Sequence, residues 1–346
     1  MLYGATGYTG RLVIRAALAR GHRPVLAGRN ADKLAALARA HDLDFVAVGL
    51  DETTALREAV GRVEAVFHCA GPYIETGAPM RAACLAASTS YLDLTGELPC
   101  LQDAFEDDKA ARAAGIAIVP AVGFDVVPTD CLLRHVSDAV GGATRLDVAI
   151  AANARPSAGT AKSALGVLAE GAAIRRDGRI VRVPLASEVR KVRFPSGTRT
   201  VVLAPIGDVC TAYVSTGATE IRAWMAQSPA TARLMKSMAP LLATALKQPR
   251  LRRAAMRWIE RRVEGPDDAF AARAGVEIWA RAERRGQVRQ AWLRTPEAYR
   301  LTADVSVRVL ERVLAERPVG ALAPSQVLPL SALLELDGVE LLDALP

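Results

Sequence analysis

The sequence predicts an α/β chain that opens with a doubly wound parallel sheet and continues into a second, α+β domain built on an antiparallel sheet. Three observations carry that prediction. A glycine-rich turn, Gly4-Ala5-Thr6-Gly7-Tyr8-Thr9-Gly10, follows an apolar run and opens a helical pattern. Short apolar runs and amphipathic stretches then alternate to about Val119. Beyond Arg145, alternating segments follow one another without crossover helices between them.

Met1-Leu2-Tyr3 supplies the first strand. A central parallel strand has about five residues, so either the native start lies upstream or this strand is unusually short. Leu12, Val13, Ala16 and Ala17 mark the inward stripe of the first helix, with Gly21 just past its end, and Pro24–Ala27 is the second strand. Strand, glycine turn, helix, strand is the setting of a Rossmann-type dinucleotide site. There Gly4 permits the tight turn, Gly7 lets backbone approach a pyrophosphate, and Gly10 allows close helix–strand packing, while the helix N-terminus faces the negative charge.

The alternation continues in order. Leu34, Leu37 and Ala38 mark a helix, Phe45–Val48 a strand ending near Asp51, and Leu56–Val60 a further helical turn. Ala65–Cys69 is a buried strand opening into Ala70-Gly71-Pro72-Tyr73. A helix over Pro79–Ala87, the strand Tyr91–Leu94, a helix around Asp103–Ala114 and the strand Ile116–Val119 then lead to Gly123-Phe124-Asp125. Ligands of open α/β sheets bind at the carboxyl ends of the strands. The candidate cofactor contacts are therefore Gly4, Ala5, Thr6, Gly7, Tyr8, Thr9, Gly10, Arg29, Asn30, Asp51, Cys69, Ala70, Gly71 and Gly123.

The end of the second strand selects the cofactor. Sites for NAD usually carry an acid there, whereas this chain reads Ala27-Gly28-Arg29-Asn30 with no acid before Asp32. A guanidinium at Arg29 suits a 2′-phosphate, which predicts NADPH; the alternative is a solvated loop arginine.

In the second domain, Leu146–Ile150, Val201–Leu203, Thr219–Trp224, Val276–Trp279 and Val288–Leu293 alternate as half-buried strands. A helix over Glu297–Glu316 carries Leu301, Val305, Val309, Leu310 and Val313 on one stripe and is expected to return to the first domain, with Pro324–Pro346 completing that return. The expected domains are 1–128 (NADP-binding), 129–295 (substrate and dimerisation) and 296–346 (returning helix and tail).

Composition excludes several classes. The five cysteines, Cys69, Cys84, Cys100, Cys131 and Cys210, are odd in number and widely spaced without CxxC, which points to reduced thiols and a cytoplasmic chain. All four histidines precede residue 136, and HExxH and GxSxG are absent, so no metal site is expected. No apolar run is long enough to span a bilayer and no secretory leader is evident. The net charge of +7 is local: residues 1–145 hold 14 Lys/Arg against 17 Asp/Glu, residues 222–300 hold 17 against 7. Within 247–263, Lys247, Arg250, Arg252, Arg253, Arg257, Arg261 and Arg262 flank Leu251, Met256, Trp258, Ile259 and Val263. That segment suits a solvated lid, an acidic carrier protein, or an anionic membrane surface. Nucleic acid is not expected, because no recognition fold accompanies the charge. Oligomeric state stays open, a homodimer included.

Chemistry needs a group beside the dinucleotide. Asp125 is a candidate for orienting substrate or a cofactor amide, against an Asx turn or cap before Pro128. Tyr213 is a candidate proton donor, against a tyrosine that satisfies a backbone partner. Lys162 is a candidate carboxylate or phosphate grip, against a solvated helix lysine. None of the six tyrosines has a lysine four residues on, which disfavours the Tyr-x-x-x-Lys reductases.

Taken together, GATGYTG (Gly4–Gly10), AGR (Ala27–Arg29), GPY (Gly71–Tyr73), YLDLTGE (Tyr91–Glu97) and GFDVVPTD (Gly123–Asp130) resemble the saccharopine dehydrogenase-like oxidoreductases. PSAGT (Pro156–Thr160) and GDVCTAYVSTG around Asp208 are similar to its bacterial branch of trans-acting enoyl reductases. The chain departs from the family at GFDVVPTD, where GFDS and PSD are usual, at Ser157–Thr160, where an SGGT-like loop is usual, and in its shorter length. The resemblance implies an NADP-binding Rossmann domain, a substrate domain around an antiparallel sheet, and reduction of an activated double bond in an acyl or polyketide thioester. Two alternatives stand beside it: imine or carbonyl reduction of the saccharopine dehydrogenase type, with Arg155 and Lys162 as carboxylate grips, and a non-catalytic NADP-binding scaffold at a membrane.

Overall fold

The computed structural model describes residues 1–152, 171–246, 248–262 and 275–345. They form two units, 1–127 with 299–329 and 128–298 with 330–346.

The first unit is an open parallel sheet flanked by helices. Along the chain come β1 (Leu2–Tyr3), α1 (Tyr8–Ala19), β2 (Leu26–Gly28), α2 (Ala31–His41), β3 (Phe45–Ala47), α3 (Thr53–Val60) and β4 (Ala65–His68). Then follow α4 (Tyr73–Ala87), β5 (Ser90–Asp93), α5 (Leu98–Glu106), α6 (Asp108–Ala114) and β6 (Ala117–Val119). A last strand, β15 (Gly320–Ala321), pairs with β6, and the sheet order is β15-β6-β5-β4-β1-β2-β3, parallel throughout. The winding reverses at β1, and that reversal puts the ligand crevice of such sheets between the carboxyl ends of β1 and β4. In β1, Leu2 and Tyr3 are buried and paired on both sides, with Leu26 and Ala27 of β2 and with Phe67 and His68 of β4. Tyr3, Val66, Tyr91 and Ile118 from the strands pack against Leu56, Val60, Met80 and Cys84 from the helices. Each fully buried apolar side chain of that size contributes roughly 1.5–3 kcal/mol.

Two helix boundaries differ from the sequence reading. α4 starts at Tyr73 rather than Pro79, which lies inside the helix. Its start is set by a distant group: the Glu97 carboxylate accepts the Tyr73 and Ile74 N–H groups at 3.1 and 2.8 Å. The helix expected over 103–114 is two helices broken at Asp107, where buried Arg81 Nε donates to the Asp107 carboxylate at 2.8 Å.

The second unit begins in α7 (Val127–Asp138) and β7 (Arg145–Ala152). β8 (Ala172–Arg176), β9 (Arg179–Val183), β10 (Val189–Phe194), β11 (Gly197–Leu203), α8 (Asp208–Thr216) and β12 (Glu220–Gln227) follow. The two helices α9 (Pro229–Leu246) and α10 (Pro249–Arg262) precede the hairpin β13 (Val276–Arg284) and β14 (Gln287–Thr295). α11 (Ala298–Glu316) then leads back into the first unit, and β16 (Glu340–Leu342) pairs with β14. Residues 330–346 thus group with the second unit, where the sequence reading sent all of 296–346 to the first.

The second sheet, ordered β10-β11-β12-β7-β13-β14-β16, is mixed rather than antiparallel. β12 lies parallel to β7, pairing Glu220–Met225 with Arg145–Ile150. The long intervening stretch, with β8–β11 and α8, provides the crossover a parallel pair needs. The register lines up side chains in rows. Leu203, Trp224, Ala149, Trp279, Trp292 and Leu342 form one row across six strands, with small Ala149 between two indoles. Two residues along on the same face, Arg222, Asp147 and Arg281 form a row, and beyond it Glu220, Arg145 and Glu283. The charges alternate like a checkerboard, so each has opposite signs as cross-strand neighbours.

Candidate functional site

The turn between β1 and α1 is shaped by two glycines and left open by a third. Gly4 holds φ +83°, and a Cβ there would lie 2.8 Å from Ala70 N and Cys69 C. A Cβ on Gly10 would lie 2.7 Å from the Gly4 oxygen. Both positions therefore require glycine for the chain's own packing. Gly7 is different: its φ is −71°, it is exposed, and the nearest atom to a Cβ there is the Gly4 oxygen at 3.3 Å. Gly7 caps α1 without a side-chain hydrogen bond, and the first turn contains no acid.

The neighbouring helix starts are already served. Asn30 Oδ1 accepts the Lys33 N–H at 2.9 Å to cap α2, and Glu97 serves α4. Hence α1 presents the uncommitted helix N-terminus at the crevice, with the partial positive charge and amide donors that bind phosphate. These residues fit a dinucleotide pyrophosphate.

Around this turn the other predicted contacts take definite places. Gly4 N and Ala5 N donate to Ala27 O at 2.9 and 3.4 Å, Ala5 is buried, and Thr6 O accepts from Arg11 Nε at 3.3 Å. Thr9 is half-buried, and exposed Tyr8 meets Tyr299 edge to face, with ring centroids 5.1 Å apart. Arg29 directly follows β2, is exposed, and among the described residues makes no ion pair or hydrogen bond. Asn30 has its side chain engaged as the α2 cap. Asp51 is exposed beyond β3.

At the end of β4, Cys69 N donates to Tyr3 O at 2.8 Å, Ala70 O accepts from Thr76 Oγ1 at 2.6 Å, and Gly71 is exposed. Burial pushes the Cys69 thiol far up, so it is protonated and no nucleophile. Gly123 is buried, and a Cβ there would crowd Leu94 Cδ2 at 3.0 Å and Thr302 Cγ2 at 3.3 Å. Its backbone neighbour Phe124 N donates to Thr302 Oγ1 at 3.0 Å. Gly123 thus seats α11 and does not face outward. Asp125 is exposed beside Gly96 and, among the described residues, makes no hydrogen bond or ion pair. It is neither an Asx turn nor a helix cap.

Sequence reasoning missed a buried relay beneath the crevice. Tyr91 Oη donates to Asp93 Oδ2 at 2.7 Å and faces His68 Nδ1 at 3.2 Å. Because the hydroxyl proton goes to the carboxylate, the imidazole Nδ1–H donates to the tyrosine oxygen. Asp93 Oδ1 also accepts the Thr95 and Ala121 N–H groups, both at 2.9 Å, tying the loops after β5 and β6 together. Alternation along β5 puts Tyr91 and Asp93 on one face, a signal the sequence does contain. Burial pushes the His68 pKa from 6.5 down to about 4.

A pH dependence follows, with a definite sign. The folded chain keeps His68 neutral while the unfolded chain protonates it, so this stabilisation is present above pH 6.5 and is lost as pH falls toward 4. The loss amounts to about 3 kcal/mol. Denaturant unfolding against pH measures it, and the His68→Asn variant is expected to lack that part of the slope. Equal slopes would remove His68 as the cause.

In the second unit, Tyr213 lies on α8 with the Arg175 guanidinium carbon 3.9 Å from its ring centroid. Arg175 is itself fixed by donating to Val209 O at 2.7 Å and Gly178 O at 2.5 Å. This is a cation–π contact on a half-exposed ring. Lys162, Arg155 and the Pro156–Thr160 loop lie outside the described residues.

The class comes from the first unit. Residues 4–92 match the NAD(P)H-binding family model, and this Rossmann unit is an NAD(P)H-binding domain. More particular likenesses follow. Over 138 residues, 38% of this chain and 33% of the relative, it is 36% identical to a trans-acting enoyl reductase of Mycobacterium leprae. Over 154 residues, 41% of this chain and 37% of the relative, it is 33% identical to that of Mycobacterium tuberculosis. The matches span about a third of those relatives' length. The fold is that of the apo saccharopine dehydrogenase (L-Glu forming) of Saccharomyces cerevisiae, with TM-score 0.65 at 12% identity, covering 98% of each chain. It is shared with a homospermidine synthase of Legionella pneumophila solved with NAD, at TM-score 0.59 and 12% identity, covering 99% of this chain and 90% of that one.

Proposed function

We propose that this protein is an NADPH-dependent reductase acting on an activated double bond of an acyl or polyketide thioester. The observation that carries the dinucleotide part is the uncapped, acid-free start of α1 at Gly7, set at the sheet's switch point. The substrate class rests on the partial homology to trans-acting enoyl reductases. Conjugation to a thioester makes the β-carbon electrophilic, and the bound nicotinamide supplies the hydride.

The chain's own residues do the rest. The first-turn amides of α1 hold and orient the pyrophosphate, so the reactive ring is positioned before substrate arrives. Asp125, an exposed carboxylate with no partner among the described residues, orients the substrate or the cofactor amide. Tyr213, engaged with Arg175, is the weaker candidate for proton donation. An acyl carrier protein bearing the substrate is the partner this reading requires.

NADPH preference is assigned to Arg29, which is exposed at the end of β2 with no acid engaging it. Arg29→Ala is expected to weaken NADPH binding by about 2–3 kcal/mol, roughly thirty- to a hundred-and-fiftyfold, and to leave NADH binding unchanged. Titration of both dinucleotides checks this, and an unaltered preference would sink the assignment. NADPH oxidation with enoyl thioesters, ketones and imines tests the reaction itself. Turnover of imines alone would make it a reductase of the saccharopine dehydrogenase type. Tight NADPH binding with no turnover would make it a scaffold.

A further inference from the structure

The pair α9 and α10 carries the chain's whole positive surplus. Between Pro229 and Arg262 there are nine Lys/Arg and one acid, Glu260, a local charge of +8 against +7 for the entire chain. The remaining residues are therefore net negative. Arg233 and Lys236 of α9 and Arg250, Arg253 and Arg257 of α10 are exposed.

Apolar side chains stand out from the same helices. Leu251 is 52% and Trp258 63% exposed, seven residues apart and so on one face of α10, with exposed Ala254 and half-exposed Ala255 between them. On α9, Leu234 is 62% exposed, and Met238 is its neighbour one turn on. The inner side of α9 is already used: Ala232 is buried and Met235 packs with it against Ala186 and Val202. Both helices thus present exposed apolar side chains, a tryptophan among them, beside exposed basic ones.

We infer that α9 and α10 dock this protein on an anionic lipid surface. The cations meet acidic headgroups while Trp258, Leu251 and Leu234 enter the interfacial layer, the pattern of amphipathic helices that lie in the membrane plane. Among the described residues no helix is long and apolar enough to cross a membrane, and the surface inferred is one that rests on headgroups. The inference does not depend on the reductase reading.

Trp258 makes the test specific, because Trp224, Trp279 and Trp292 are buried. The full chain is mixed with phosphatidylcholine vesicles, either pure or with about three lipids in ten replaced by phosphatidylglycerol. Co-sedimentation and a blue shift of tryptophan emission are expected only with the anionic vesicles, weakening as salt rises. The triple variant R250Q/R253Q/R257Q is expected to lose roughly a hundredfold in vesicle affinity, and Trp258→Ser roughly tenfold. Both are expected to keep the wild-type circular dichroism and thermal midpoint, since the sites are exposed. Equal binding to neutral vesicles, no binding to anionic ones, or binding to an acidic acyl carrier protein in place of vesicles would overturn the inference.

Discussion

Gly7→Asp is expected to abolish dinucleotide binding, by a hundredfold or roughly more, while the protein stays folded. The new carboxylate would sit at the start of α1, which has no side-chain cap, and would take up the first-turn amides itself. It is also a good N-cap residue, so the thermal midpoint should hold or rise slightly. Backbone strain is absent because Gly7 has an ordinary negative φ, and the tight 3.3 Å approach of a Cβ to the Gly4 oxygen needs a shift of only a few tenths of an ångström. Gly10→Val is the contrasting variant. Its side chain would drive into the Gly4 and Ala5 oxygens, at 2.7 and 2.9 Å from the Cβ alone, and should unfold the first unit. Calorimetric titration with NADPH beside thermal unfolding separates the two. If Gly7→Asp binds NADPH as wild type does, α1 is not the phosphate site.

The second large effect is expected at Asp147, which is fully buried in the mixed sheet. Its carboxylate accepts from Trp224 Nε1 at 3.2 Å and lies 3.4–3.8 Å from Arg145, Arg190 and Arg281. Arg190 stacks over Trp224 and Trp279, 4.2 and 4.8 Å from the ring centroids, and burial lowers its pKa. Asp147→Ala would leave these cations facing one another without the central anion, at a cost of about 3–5 kcal/mol. That corresponds to a fall of roughly 10 °C in the midpoint of the second unit. Asp147→Asn, which keeps an acceptor for Trp224, should lose less. Unfolding of Asp147→Ala within about 1 kcal/mol of wild type would show that the network contributes little beyond its surface members.

The first sheet was legible because its signals are local. Val66, Phe67 and Ile118 sit in short apolar runs, and the glycine turn falls between a strand and a helix. The start of α4 was not, because the group that caps it, Glu97, lies 23 residues away from Ile74 in sequence. β10 escaped notice for a different reason. Arg190 shares its strand face with Val192 and Phe194, so a cation occupies a position where alternation calls for an apolar residue. The two indoles and the Asp147 carboxylate, all supplied by other strands, explain that choice. The parallel pairing of β7 with β12 is likewise a tertiary fact. At the candidate site the glycine turn could be read directly, whereas the contacts that engage Gly123 and Asn30 in the fold are ones that residue type alone does not reveal.

β15 has a consequence for how the protein is made. The outer rim of the nucleotide-binding sheet is Gly320–Ala321, joined to Ala117–Ile118, so the sheet stays unfinished until the ribosome has passed residue 321. At about 5–20 residues per second, roughly ten to forty seconds separate the emergence of β6 from that of its neighbour. Throughout that interval the backbone of Ala117–Val119 is an unpaired edge, open to strands from other nascent chains. Yield in the cell should therefore respond to chaperone supply and translation speed more than the stability of the finished molecule would suggest.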